Sequence, residues 1–331
     1  MDDPDHSTTL GGTGLAVTRM GLGLAALGRP AYITLGRDAD LGADRDRGTM
    51  EQECHRMLDA AYAAGIRYVD TARSYGLAEE FLASWLAGRE LAPGAITIGS
   101  KWGYRYVGAW AVDAAVHEKK DHSLAMFRQQ LPQTLDLLGR HLDLYQVHSA
   151  TLDSGVFDDR ELLHALAGLR DTGVVVGLTV SGPRQADAVR RALDVDVDGT
   201  NPFSTVQATW NVLEPSVGPA LGEAHARGWG VLVKEALANG RLTVRGSEGR
   251  ALALEAVATR LDATVDQVAI AAALEQPWAD VVLSGAVTVP QLRSNLDAFE
   301  LSLTDAGGEL LASMTEDPAS YWERRSSLPW R

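Results

Sequence analysis

A single cysteine, Cys54, stands in 331 residues, so the chain can form no internal disulfide and no thiolate-rich zinc cluster. A reducing compartment is expected, and with it a cytoplasmic location. Positive charge is also scarce, since 30 Lys and Arg against 44 Asp and Glu leave a net charge of −14. That balance disfavours nonspecific attraction to nucleic acid or to an anionic membrane surface. No apolar run approaches the roughly 18 residues that a spanning helix needs. The acidic start, MDDPDHSTTLGG, lacks the basic and then apolar order of a secretory signal. Aromatic residues make up only 6% of the chain, which makes the crowding of Trp102, Tyr104, Tyr106 and Trp110 into one short stretch noticeable.

What is abundant is a repeated alternation. Apolar runs at 20–25, 66–70, 96–102, 142–148, 174–181, 203–210, 230–237 and 281–287 are each followed by a loop and a charged helical pattern. Strands that are apolar almost throughout are buried on both faces, and helical covers on both faces imply a parallel sheet. Length alone allows two domains or one large barrel. An open doubly wound sheet would carry an early GxGxxG loop, and MGLGLAALG lacks that spacing. Eight units therefore predict an α/β fold of the (β/α)8 TIM-barrel class, one domain over 1–331. The acidic and Arg-rich stretch 36–49 is expected as an exposed loop, and the aromatic-rich stretch 102–122 as a loop on the substrate side. Outer helices are expected at 250–262 and 304–315, before the tail SSLPWR.

In such a barrel, ionisable residues at the C-terminal ends of different strands converge. Asp70 ends the second strand, Tyr75 follows in its loop, Lys101 ends the third strand and His148 the fourth. An ammonium beside a phenol favours the phenolate, a carboxylate fixes the ammonium, and an imidazole can orient a carbonyl oxygen. Each residue also has a plain structural use: a helix cap for Asp70, packing for Tyr75, a surface pair for Lys101 and a backbone bond for His148. Three titratable groups at three successive strand ends favour acid–base chemistry over those uses.

These stretches resemble the aldo-keto reductases. YVDTARSYGLAEEFLASWL is similar to that family's second-strand signature, ITIGSKWG to its lysine strand, LDLYQVH to its histidine strand and SGAVTVPQLRSNL to its eighth-strand loop and helix. The resemblance covers roughly residues 10–300 and implies a barrel that binds NADPH, with NADH second, and no metal. It implies that Tyr75 donates the proton when an aldehyde or ketone is reduced to an alcohol. Lys101 would lower the pKa of that phenol, Asp70 support the lysine and His148 place the carbonyl. Cofactor contacts would come from Ser181, Gln207, Lys234, Gly285, Gln291, Arg293 and Asn295, with Asn211 at a neighbouring family position. Three departures stand out: Gly182 where the family has asparagine, Lys234 where an aromatic ring stacks on nicotinamide, and Gln291 where a basic residue meets the 2′-phosphate, with Arg293 as a substitute. The substrate pocket would be bounded by the Leu24 region, the 102–122 loop, Trp210 and the C-terminal tail. The partner is then a small carbonyl or alcohol, with neither nucleic acid nor membrane. Two other readings use the same residues, a proton-transferring isomerase or lyase and a cofactor-binding regulatory protein.

Overall fold

The computed structural model describes residues 6–246, 251–303 and 307–331. Eight parallel strands close into a barrel: β1 (Met20–Gly23), β2 (Tyr68–Asp70), β3 (Thr97–Trp102), β4 (Leu144–Ala150), β5 (Val175–Val180), β6 (Thr205–Thr209), β7 (Gly230–Lys234) and β8 (Val281–Ser284). Neighbours in space are neighbours in sequence, and β8 pairs with β1, Val282 opposite Met20, to close the ring. All eight expected strands are present, each within about two residues of its apolar run at the N-terminal end.

The strands have this character because both of their faces are covered. Alternate side chains of β5, Val176, Leu178 and Val180, pack against the outer helices, and their neighbour Thr179 is fully buried towards the axis. Four of the helices begin where a side-chain oxygen receives a free backbone N–H. Asp46 accepts from Thr49 N at 3.0 Å, Ser123 from Met126 N at 3.2 Å and Asp159 from Leu162 N at 3.0 Å. Thr288 does the same for the helix Val289–Asp297, with Pro290 in its first turn.

An N-terminal hairpin, Ser7–Thr9 with Ala16–Thr18, lies across the starts of the strands. Gly12 N donates to Gly228 O at 2.8 Å, Thr97 Oγ1 to Ala16 O at 2.6 Å and Arg67 N to Thr18 Oγ1 at 2.8 Å. Leu10 and Val17 of this hairpin form an apolar cluster with Tyr68, Leu144, Leu232 and Val281, which stoppers the barrel at the end opposite Asp70 and Lys101.

The expected exposed loop at 36–49 has more order than that. It contains a helical turn, Arg37–Leu41, and ends in the cap of the long helix Arg47–Ala63. Arg37 is buried and donates to the carbonyls of Ala26, Arg29, Pro30 and Arg331. Burial, with Arg45 and Arg29 nearby, pulls its pKa down to about 9. The tail is also ordered. A helix, Pro318–Ser326, precedes a backbone pairing of Arg331 with Tyr32 in both directions. The outer-helix expectations are met by Ala251–Arg260 and Gly308–Ala312, while residues 250 and 304–306 lie outside the described residues. No helix among the described residues is long and apolar enough to cross a membrane.

Candidate active site

Lys101 is the hub. Its ammonium donates to Asp70 Oδ1, to Thr71 O at 2.9 Å and to Tyr75 OH at 3.2 Å, and 99% of the residue is buried. Asp70 Oδ2 is held in turn by Gln207 Nε2 at 2.8 Å and Tyr68 OH at 3.2 Å. The pair is stable inside the barrel because every remaining lone pair and proton finds a partner of the right kind. The loop that brings Tyr75 here is pressed against the loop after β1. A side-chain carbon at Gly28 would meet Tyr75 O at 2.4 Å, and one at Gly76, whose φ is +64°, would meet Gly28 O at 2.4 Å. Glycine at both positions is what lets these two loops touch, and Leu77 N donates to Gly28 O at 2.8 Å across the contact.

His148 lies edge-on to the Tyr75 ring, with centroids 5.5 Å apart, and Tyr104 lies 5.0 Å from it on another side. Its Nδ1 is 3.3 Å from Ser74 Oγ, which leaves Nε2 as the nitrogen available to a ligand. Burial, followed by the charges of Lys101, Arg29 and Lys234, holds the imidazole well below its ordinary pKa, so it is neutral. Its carbonyl oxygen accepts from His122 Nε2 at 2.7 Å.

Tyr75 departs from the sequence expectation of a lowered pKa. Burial and then the Asp70 carboxylate push the phenol well above its ordinary value, and Arg29 is the leading influence in the other direction. The reason is that Asp70 cancels Lys101, so the phenol sees a desolvated and nearly neutral pair. Arg29 itself is an unforeseen member of the site. It is 1% exposed, its guanidinium lies 5.0 Å from the Tyr75 ring centre and 4.8 Å from those of Tyr32 and Trp330, and it pairs with Glu118 at 2.7 Å.

An elongated cavity of about 670 Å³ opens over these groups. Asp70, Tyr75, His148, Ser181, Gln207, Lys234, Gly285, Gln291 and Asn295 all line it, so nine of the expected site residues share one space. Lys101 sits just behind Tyr75. Arg293 does not join them: it is exposed and outside the lining, so it offers no substitute for the missing basic residue. Gln291 and Asn295 are four residues apart on one helix face, whereas Arg293, two residues from either, falls on the opposite side. Asn211 is a structural residue that bonds Glu235 O, Tyr321 OH and two backbone N–H groups. Gly182, at φ +92°, takes a turn that a side chain would strain.

Of the expected substrate wall, Tyr104 and, from the tail, Trp330 line the cavity, as do Gly23, Ala25 and Ala26 around Leu24. Trp102, Trp110 and Trp210 do not. Trp102 follows the inward-facing Lys101 on β3, so it points out and packs on Phe127. Trp210 likewise alternates with Thr209 and packs on Trp278, while Trp110 packs on Phe81 and donates to Arg45 O at 2.8 Å. Residues that sequence reasoning missed are Arg29, Tyr32, Asp40, Glu118, Glu235 and Arg325, all lining the cavity. The one available signal was position, since Arg29 lies in the loop that follows β1 on the strand-end face.

At its far end the cavity has another character. Asp40 receives Gln291 Nε2 at 2.7 Å and both guanidinium nitrogens of Arg245, and Val287 N donates to Gln291 Oε1 at 3.0 Å. The residues fit a dinucleotide. A side-chain carbon at Gly285 would meet nothing within 4 Å, so backbone there is open to a phosphate beside a helix N-terminus. Among the described residues Asn239 Oδ1, buried in the cavity wall, has no hydrogen-bond partner, so it could accept from a sugar hydroxyl. Asn295 Nδ2 donates to Ser284 Oγ at 2.8 Å, which fixes the strand-to-helix corner. Among the described residues no group of three or more His, Cys, Asp or Glu is placed to hold a metal ion. Cys54 is buried and its thiol is pushed up by burial, which makes it inert.

Comparison with known proteins agrees on the architecture. The model of the Aldo/keto reductase family matches residues 19–314. A curated relative, the NADH-specific methylglyoxal reductase of Escherichia coli (strain K12), is 23% identical over 337 residues, covering 93% of this chain and 97% of its own. An aldo-keto reductase from Bacillus halodurans, solved in its holo form, superposes with a TM-score of 0.69 at 22% identity, covering 94% of this chain and 96% of that one. A putative aldo-keto reductase from Pseudomonas aeruginosa gives a TM-score of 0.63 at 24% identity, covering 89% and 94%.

Proposed function

Because the chain belongs to the aldo/keto reductase family of NAD(P)H-dependent oxidoreductases, we propose that it reduces an aldehyde or ketone to an alcohol with Tyr75 as proton donor and NADH as cofactor. The observation that carries this reading is the Tyr75 hydroxyl, held at 3.2 Å by a buried Lys101 already neutralised by Asp70, on the wall of the cavity beside a neutral His148. A bound reduced nicotinamide supplies the hydride. The chain's residues do the rest. The Nε2 side of His148 orients the carbonyl oxygen, Tyr75 hands its proton to that oxygen as negative charge develops, and Lys101 and Arg29 stabilise the phenolate left behind. Tyr75 enters the reaction protonated, and the charge of Arg29 offsets part of the cost that burial and Asp70 add to giving the proton up.

The resemblance alone favours NADPH, and the far end of the cavity argues for NADH. With the reactive group at Tyr75, the adenosine of a dinucleotide would be held by the residues at the other end, Asp40, Gln291 and Asn295. There Arg245 is already neutralised by Asp40, Gln291 is spent on the same carboxylate and Asp266 adds a second negative charge. A ribose hydroxyl can donate to such a carboxylate, whereas a 2′-phosphate is repelled by it. The chain is taken as one barrel domain acting in a reducing, cytoplasmic setting, in keeping with its lone buried thiol.

The test is consumption of NADH and of NADPH followed at 340 nm with methylglyoxal, other aldehydes, ketones and quinones. The reading expects turnover with at least one carbonyl and a lower KM for NADH. Absence of both nicotinamide binding and carbonyl turnover would overturn it. Deuteride delivered from labelled NADH into the product alcohol separates reduction from proton-shuffling chemistry.

A further inference from the structure

We propose that a hairpin outside the barrel sheet governs proton donation by Tyr75: its Glu118 is a positioning residue that acts on the phenol through Arg29. The inference rests on the reading of this cavity as a carbonyl-reducing site and adds a residue to its machinery.

The hairpin is an antiparallel pair, Tyr104–Tyr106 with Glu118–Lys120, in which Tyr106 lies opposite Glu118 and Tyr104 opposite Lys120. Residues directly opposite, and residues two apart on one strand, share a face, so Tyr104 and Glu118 point the same way. Both line the cavity, whereas the alternate residues Arg105 and Lys119 are exposed. One face thus touches both halves of the site, Tyr104 on His148 with ring centres 5.0 Å apart and Glu118 on Arg29 at 2.7 Å from oxygen to nitrogen. The base of the hairpin is fixed by Gln130, whose Oε1 accepts from Gly103 N at 2.8 Å and whose Nε2 donates to Tyr104 O at 2.9 Å.

Arg29 meets the donor loop directly. The nitrogen that Glu118 holds, Nη1, also donates to Ser74 O at 3.2 Å, one residue before Tyr75, and the guanidinium carbon lies 5.0 Å from the centre of the Tyr75 ring. Among the described residues Glu118 is the only carboxylate paired with Arg29, whose other hydrogen bonds go to the carbonyls of Ala25 and Ser74. The remaining groups around Tyr75 are committed elsewhere. Lys101 is held by Asp70, Glu235 is taken by Arg325, His148 is neutral, and Tyr32 is a phenol that burial keeps protonated. The two members of the pair act on Tyr75 with opposite signs. The guanidinium favours the phenolate and the carboxylate favours the phenol, with the guanidinium the stronger. In so buried a pair each charge is weakly screened. Removing the carboxylate charge but keeping its hydrogen bond therefore makes Tyr75 a stronger acid, and removing the guanidinium makes it a weaker one. The step affected is the passage of the proton from Tyr75 Oη to the carbonyl oxygen as the carbonyl carbon accepts hydride from reduced nicotinamide, which leaves a phenolate and an alcohol.

The test is the rate of NADH loss in a single turnover at neutral pH, with the fastest carbonyl substrate of the panel above. Glu118→Gln, which keeps the size and the hydrogen bond to Arg29, should raise that rate about three- to tenfold, and Arg29→Met should lower it by about as much. The double substitution should fall between the two, because opposing charges leave together. A gain of rate and its cancellation are effects that damaged packing does not produce. Tyr75 is also followed without turnover, through the magnetic resonance signal of its isotope-labelled Cζ atom, identified by its loss in Tyr75→Phe. Its titration should move to lower pH in Glu118→Gln and to higher pH in Arg29→Met. A step that Glu118→Gln fails to accelerate, or a titration that it leaves unmoved, overturns the proposal, and Glu118→Gln alone decides where Arg29→Met does not fold. If no carbonyl is turned over, the reductase reading fails and the Tyr75 titration still decides the role of Glu118.

Discussion

The two ends of the cavity use charge in opposite ways. Around Tyr75 the ion pairs are buried, Lys101 and Asp70 exposing 1% and 3% of their side chains. At the end proposed for the adenosine the Arg245–Asp40 pair is half open, with 37% of the arginine side chain exposed. Buried pairs are rigid and keep a proton donor aligned, while a solvated pair contributes little stability and exchanges partners readily. On the proposed reading chemistry belongs to the first end and recognition to the second, and the two should respond differently to the same kind of substitution.

The sharpest test of that division is Tyr75→Phe. It should lower kcat by about 10²–10⁴-fold, with the dissociation constant for NADH, read from protein fluorescence quenching, nearly unchanged. A large loss of cofactor affinity would blur the two ends. At the other end, Asp40→Ser should leave kcat with saturating NADH close to wild type while improving the affinity for NADPH relative to NADH by about tenfold, since Arg245 is released to a 2′-phosphate. An unchanged ratio would show that Asp40 does not read the ribose.

Acid should reveal the difference in stability. Burial and Lys120 pull His122 down to about 4 in the folded chain, against about 6.5 when unfolded. Between those values the unfolded state binds the extra proton, so stability is full above about pH 6.5 and declines as pH falls towards 4, by up to about 1.4 kcal/mol per pH unit for this group. His148, also depressed, adds to the slope. His122→Gln should flatten the dependence of the urea midpoint over that range. The smallest effect expected is from Tyr104→Phe, which removes one hydroxyl from the cavity wall: a change of about two- to fivefold in relative preference among carbonyl substrates. Trp110→Phe, outside the cavity, should leave the preference unaltered and lower only the melting temperature.

The barrel was legible because parallel strands buried on both faces read as unbroken apolar runs, and the candidate groups because strand ends converge when the barrel closes. Asp70, Lys101 and His148 needed only that rule, whereas Tyr75 lies in the loop after β2 and took its role from the family resemblance. What stayed hidden depended on direction within an element. Trp102 looked like a pocket wall because it follows Lys101, yet strand alternation sends it outward, and Arg293 looked basic enough to replace Gln291, yet helix periodicity turns it away. Arg29, Glu118 and Arg325 were invisible for another reason. They meet Tyr75, Arg29 and Glu235 from segments about 45–90 positions distant, through loop paths that no local pattern encodes. The pKa of Tyr75 reversed its expected direction because the sequence shows a lysine nearby but not that Asp70 has already cancelled it.

The hairpin that stoppers the barrel bears on traffic. With Leu10 and Val17 sealing the floor among the described residues, nothing passes along the barrel axis, and whatever the cavity holds must come and go on the strand-end face where Asp70, Tyr75, Lys101 and His148 converge.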